Sequence, residues 1–113
     1  DDAEGHGMSG FTLDDLATII AARSGASADK SYTKSLLEAG MGRVAKKFGE
    51  EAVEAVIAGM KADKTELRNE AADVLYHLLV LLQAGGVSLQ DVMDELEWRT
   101  NRSGLEEKAS RTN

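Results

Sequence analysis

Two pairs of carboxylates are the residues of this chain best placed to do chemistry. Glu51 and Glu54 form an E-x-x-E pair within Lys47-Phe48-Gly49-Glu50-Glu51-Ala52-Val53-Glu54, and Glu70 and Asp73 form an E-x-x-D pair within Asn69-Glu70-Ala71-Ala72-Asp73-Val74-Leu75-Tyr76-His77. Residues three apart share one face of an α-helix, so each pair sets two acids side by side. Like charges so placed repel, and both pairs lie beside an apolar stripe instead of among basic partners. A hard divalent cation would relieve the repulsion. Magnesium fits, because it takes oxygen ligands in octahedral geometry and keeps waters while binding carboxylates together with substrate phosphates. It would neutralise charge developing on a pyrophosphate leaving group and orient an attacking water. A spare carboxylate could take the proton from that water, and either Glu50 or one of the four paired acids could serve. The competing reading is a solvated helix face, since glutamate is a good helix former and the chain has 20 acids.

The neighbouring residues carry the same two readings. Lys47 stands four residues before Glu51, the spacing of an ordinary intrahelical ion pair. His77 follows Asp73 by one turn and reads more simply as a hydrogen-bonded residue at the edge of a core than as a ligand. Trp98 and Phe48 read as packing residues, and Tyr32, at a helix start, is open.

Helices must position these groups. Apolar spacing of three and four, no proline and only 4% aromatic residues indicate an all-α fold. A first helix should begin at Thr12, where Thr12-Leu13-Asp14-Asp15 has the form of a capping box, and end at Gly25. Helical pattern resumes from Tyr32 to Met60 with interruptions at Gly40 and Gly42. Met41, Val44, Ala45, Phe48, Ala52, Ala55 and Val56 fall on its greasy side, with Lys47, Glu50, Glu51 and Glu54 alongside. Gly49, between the two sides, marks either a close approach or a tolerated small residue. After a polar turn with Asp63 as N-cap, a third helix runs to Ala84 and stops at Gly85-Gly86, with Leu67, Ala71, Val74, Leu75, Leu78 and Leu82 as its core stripe. A fourth starts at Ser88 and buries Leu89, Val92, Met93 and Leu96. The tail from Trp98 to Arg111 concentrates cations in an otherwise acidic chain.

Composition bounds the function. With 113 residues there is one domain, and a domain this small made of long helices often needs a second subunit to cover its faces. A net charge of −7 argues against nucleic-acid binding, which requires a basic surface. The absence of cysteine excludes disulfides and thiolate chemistry and suits a cytoplasmic setting. No apolar run reaches the length of about 18 residues that spans a bilayer, so a membrane partner is not expected. Residues 1–7 read as an expression leader before a start at Met8, leaving 8–113 as a single all-α domain.

The paired acids on successive helices resemble those of the all-α nucleoside triphosphate pyrophosphatases of the MazG type. More narrowly, Ser31-Tyr32-Thr33-Lys34-Ser35-Leu36-Leu37, the block from Val44 to Glu54, the block from Asn69 to His77, and Arg102-Ser103-Gly104-Leu105-Glu106-Glu107-Lys108 are similar to phosphoribosyl-ATP pyrophosphohydrolase, the second enzyme of histidine biosynthesis. The likeness runs from about residue 11 to residue 111. It implies Mg²⁺-dependent hydrolysis of phosphoribosyl-ATP to phosphoribosyl-AMP and pyrophosphate by a homodimer whose four to five helices per chain pack into a bundle. By position, Glu51, Glu54, Glu70 and Asp73 would hold magnesium, with Glu50 in or beside its coordination and Glu50, Glu51 and Glu54 as the catalytic carboxylates. Lys47 would contact phosphate and Asn69 the substrate or the ligands. Tyr32, Thr33, Arg102, Ser103 and Lys108 would help close the site. The alternatives are a house-cleaning pyrophosphatase for non-standard nucleotides, which the same four acids would serve, and a non-catalytic helical dimerisation module.

Overall fold

The computed structural model describes residues 10–26 and 31–101, and these form five α-helices with no strand among them. They are α1 (Leu13–Arg23), α2 (Tyr32–Ala39), α3 (Met41–Met60), α4 (Lys64–Gly85) and α5 (Leu89–Thr100). Local chemistry sets most of their ends. Thr12 and Asp15 exchange side-chain-to-backbone hydrogen bonds at 3.0 Å each, the reciprocal capping box expected from the sequence. Ser31, Asp63 and Ser88 each accept a backbone N–H three residues on, so α2, α4 and α5 also start at side-chain caps.

The long stretch from Tyr32 to Met60 breaks once, at Gly40, whose φ of 97° lies where an L side chain is strained. Gly42, expected as a second interruption, lies inside α3 because one glycine costs a helix only about 1 kcal/mol. Gly49 also lies within α3, and a Cβ added there would meet nothing within 4 Å among the described residues, so no described helix of this chain makes the close approach.

α3 and α4 pack closely as a helical hairpin and dominate the contacts between helices. Their link turns through Ala62 at φ 58°, with Ala62 N–H donating to Gly59 O at 3.1 Å and Asp63 N–H to Ala58 O at 3.4 Å. α1 and α2 lie against this hairpin. The core forms where they meet, from Ile20, Leu36, Val44, Leu79 and Val80.

Part of the expected apolar stripes stays uncovered. Met41, Val56, Leu67, Leu75, Met93 and Leu96 are all exposed, and α5 buries no residue. The reason is size: one small layer of short helices shields only one side of the hairpin. Val53, Val56, Ile57 and Met60 recur at the helical period on α3, giving a continuous apolar stripe on the uncovered side, with Val56 65% and Met60 83% exposed. Among the described residues no single helix is long and apolar enough to cross a membrane.

Candidate active site

The hairpin turn determines which acids meet. Glu51 and Asp73 are equally distant in sequence from Ala62, and so are Glu54 and Glu70, so folding the chain back there brings each pair onto the other. Glu51, Glu70 and Asp73 converge, and one carboxylate oxygen from each lies within 4.8 Å of the other two. Glu54 falls outside this mutually close set but is near enough for its charge to act on Glu70.

The three acids are in different states. Glu51 is buried at 7% exposure, and Lys47 Nζ lies 3.4 Å from its Oε2. Glu70 is half-buried and its Oε1 has no hydrogen-bond partner among the described residues, an arrangement that normally costs free energy. Its carboxyl is held above the usual range, first by partial burial and then by the charges of Glu54, Asp73, Glu51 and Glu66. Glu66 is offset by Lys61, whose Nζ stands 2.8 Å from Glu66 Oε2 even though that oxygen makes no well-directed hydrogen bond. Among the described residues Glu70 has no such cation. Three carboxylates so placed could hold a hard cation through their oxygens.

Lys47 is held above the ordinary lysine range, first by the Tyr32 phenol and then by hydrogen bonding and charge from Glu51. Lys47 is thus within electrostatic reach of Tyr32 at the start of α2 as well as paired with Glu51, the i,i+4 partner its spacing allows. Glu50 is exposed on α3 and adds its charge to the field at Lys47. Asn69 is exposed on α4, with its Oδ1 accepting from Arg68 Nε at 3.3 Å and Nη2 at 3.2 Å. Arg102, Ser103 and Lys108 lie outside the described residues.

A polar and aromatic cluster joins α2 to α4 one turn beyond Asp73. His77 is buried, its Nδ1 lies 2.7 Å from the Asp73 backbone carbonyl, and its Nε2 lies 3.4 Å from the Tyr32 hydroxyl. A carbonyl can only accept, so Nδ1 carries the proton and Nε2 accepts from Tyr32. His77 is thus a bonded structural residue. Thr33 is fully buried and hydrogen-bonds the Tyr76 hydroxyl, while the Tyr32 and Tyr76 rings stack with centroids 6.2 Å apart. Tyr76 was not among the residues singled out from sequence. Its signal was an aromatic with a polar tip, one turn after Asp73, in an otherwise aliphatic run.

Comparison with known proteins agrees with this geometry. The family model described as phosphoribosyl-ATP pyrophosphohydrolase matches residues 13–100. The chain is 61% identical to a phosphoribosyl-ATP pyrophosphatase of Methylobacterium radiotolerans, over 92% of this chain and 97% of that protein. It is 59% identical to the phosphoribosyl-ATP pyrophosphatase of Methylobacterium nodulans and 57% to that of Agrobacterium fabrum, with the same coverage of each chain. These acids, the helices that carry them and the extent of the match place the chain in the phosphoribosyl-ATP pyrophosphohydrolase family.

Proposed function

We propose that the chain hydrolyses phosphoribosyl-ATP to phosphoribosyl-AMP and pyrophosphate, the second step of histidine biosynthesis, with Mg²⁺ held by Glu51, Glu70 and Asp73 and with Glu54 at its edge. The observation that carries this reading is the convergence of three carboxylates around an unpartnered Glu70 oxygen in a chain of this family. When bound, magnesium supplies charge neutralisation at the pyrophosphate and an ordered water.

The protein's own groups do the rest. Lys47 offers its ammonium to a phosphate oxygen while staying near Glu51, and magnesium at Glu51 would supply the positive charge that the buried carboxylate gives up if the pair opens. Of Glu50, Glu51 and Glu54, one accepts the proton of the attacking water. Tyr32 and Thr33 flank the site from α2, and Asn69 lies beside Glu70. Arg102, Ser103 and Lys108, assigned from the family likeness, contribute from the tail.

A homodimer completes the bundle. The stripe of Val53, Val56, Ile57 and Met60, continued by Leu67 and Leu75 on α4, is the surface that a second copy would cover. An acidic chain without cysteine suits a cytoplasmic enzyme with neither a nucleic-acid nor a membrane partner.

Incubation with phosphoribosyl-ATP and Mg²⁺ tests the reading: pyrophosphate is released, and release stops when the metal is chelated. A folded protein that leaves phosphoribosyl-ATP intact would refute it. Faster turnover of free non-standard triphosphates would replace it with the house-cleaning activity.

A further inference from the structure

A recess opens at the start of α2, with Tyr32 and Tyr76 in its walls. It has a volume of about 320 Å³ and is lined by Arg23 from the end of α1, Ala26, Ser31, Tyr32 and Thr33 at the start of α2, and Tyr76 from α4. Two of its walls also belong to the active site. Tyr32 hydrogen-bonds His77 and acts on Lys47, and Tyr76 lies one helical turn, about 4.5 Å along the axis, beyond Asp73. Tyr32 and Tyr76 are thus the residues along which one ligand would extend from the carboxylates to this recess.

The chemistry of its lining is unlike the rest of the surface. The chain has 20 acids and a net charge of −7, yet none of the described residues lining the recess is acidic. They offer hydroxyls, aromatic faces and one guanidinium. Among the described residues Arg23, like Arg43, Lys46 and Lys64, makes no ion pair, whereas Lys34, Lys47, Lys61 and Arg99 each have a carboxylate within 4.0 Å; of these unpaired cations only Arg23 lines the recess. A guanidinium with no ion pair among the described residues, in a recess whose described lining carries no acid, favours an anion, and its planar donor fork matches the oxygens of a phosphate.

We propose that this recess binds the phosphorylated ribosyl group of the substrate and that Arg23 is the specificity residue contacting its phosphate. The assignment rests on the phosphoribosyl-ATP reading above. That substrate has two anionic ends, a triphosphate and a ribosyl phosphate, separated by the adenine. The carboxylates serve the first end and carry the wrong charge for the second without a metal. The Arg23 recess supplies the missing cation at a place the second end can reach. Ordinary nucleoside triphosphates lack that second phosphate, so the contact separates the pathway substrate from them.

Arg23→Gln tests the assignment, with Arg23→Lys as a conservative control. Expected for Arg23→Gln are an unchanged melting temperature and a KM for phosphoribosyl-ATP raised tenfold or more, with kcat changed less than threefold. Arg23→Lys recovers part of the loss. Affinities of metal-loaded protein for phosphoribosyl-AMP and for AMP, measured by calorimetry, read the same contact without turnover. Arg23→Gln should weaken phosphoribosyl-AMP tenfold or more and leave AMP within twofold. Equal effects on both nucleotides, an effect on neither, or a loss confined to kcat would overturn the proposal. Failure of the wild-type protein to hydrolyse phosphoribosyl-ATP would instead remove the activity itself, and the binding comparison would still decide whether the recess holds a ribosyl phosphate.

Discussion

Replacing Glu70 with glutamine separates a metal ligand from a structural acid, because the two roles predict opposite effects in metal-free and metal-loaded protein. Without metal, Glu70 is a half-buried carboxylate whose Oε1 is unpartnered and which faces Glu54, Asp73, Glu51 and Glu66. The amide keeps the shape and removes the charge, so apo Glu70→Gln should be as stable as the wild type or more so. The pH dependence has a definite sign. An acid whose pKa is raised by folding destabilises the native state wherever it is ionised, and that penalty disappears as the pH falls through the raised value. The advantage of Glu70→Gln over the wild type should therefore be present at neutral pH and shrink on acidification.

With metal the order reverses. A ligand that binds only the folded state stabilises it by about 2.7 kcal/mol at 100 times its dissociation constant. Unfolding entropy of about 2.1 cal/mol/K per residue over 113 residues makes each kcal/mol worth roughly 4 °C. Saturating Mg²⁺ should thus raise the wild-type melting temperature by about 11 °C, and the variant should lose most of that shift together with turnover. Differential scanning calorimetry with and without Mg²⁺, at two pH values, reads all of these quantities. A clear loss of apo stability in Glu70→Gln, or a retained Mg²⁺ shift, would refute the reasoning and make Glu70 a hydrogen-bonding structural residue.

Other outcomes follow from single residues. Ala62 holds a left-handed φ of 58°, which costs an L-residue about 1–2 kcal/mol. After the entropy that glycine adds to the unfolded chain, Ala62→Gly should gain about 0.5–1 kcal/mol, seen as a higher denaturant midpoint at unchanged slope. Thr33→Val leaves the Tyr76 hydroxyl without its buried partner and should cost about 1 kcal/mol or more, while adding Tyr76→Phe should return most of it; simple additivity of the two losses would show that the pair is not coupled. Ile57→Asp places a charge in the exposed α3 stripe and should convert a dimer to monomer in sedimentation velocity; a wild-type monomer, or a variant that stays dimeric, would remove the stripe from the interface.

Much of the architecture is local and was legible in the sequence. The caps at Thr12, Asp63 and Ser88 act through side chains within three residues of the helix starts, and Gly40 and Gly86 adopt positive φ at helix boundaries, as glycine readily does. The paired acids were legible for the same reason, since helical spacing alone puts each pair on one face. Sequence periodicity overstated the core. Met41, Val56, Leu67, Leu75, Met93 and Leu96 follow the apolar pattern but are exposed, because periodicity marks the faces that need covering and not what covers them.

The site was decided at the next level. Spacing could not separate a metal centre from a solvated acidic face, because both satisfy the same helical geometry. The turn at Ala62 folds α4 back along α3, so that Glu51, Glu70 and Asp73 converge, and among the described residues Lys61 offsets Glu66 while Glu70 Oε1 has no donor. The Arg23 recess depends even more on tertiary structure. Arg23 and Ser31 are close in sequence but Tyr76 is 45 residues beyond Ser31, and only the packing of α1 and α2 against the hairpin brings them together. Helical propensities and caps act over a few residues and can be read in order, whereas the balance of charge in a recess is set by whichever segments happen to line it.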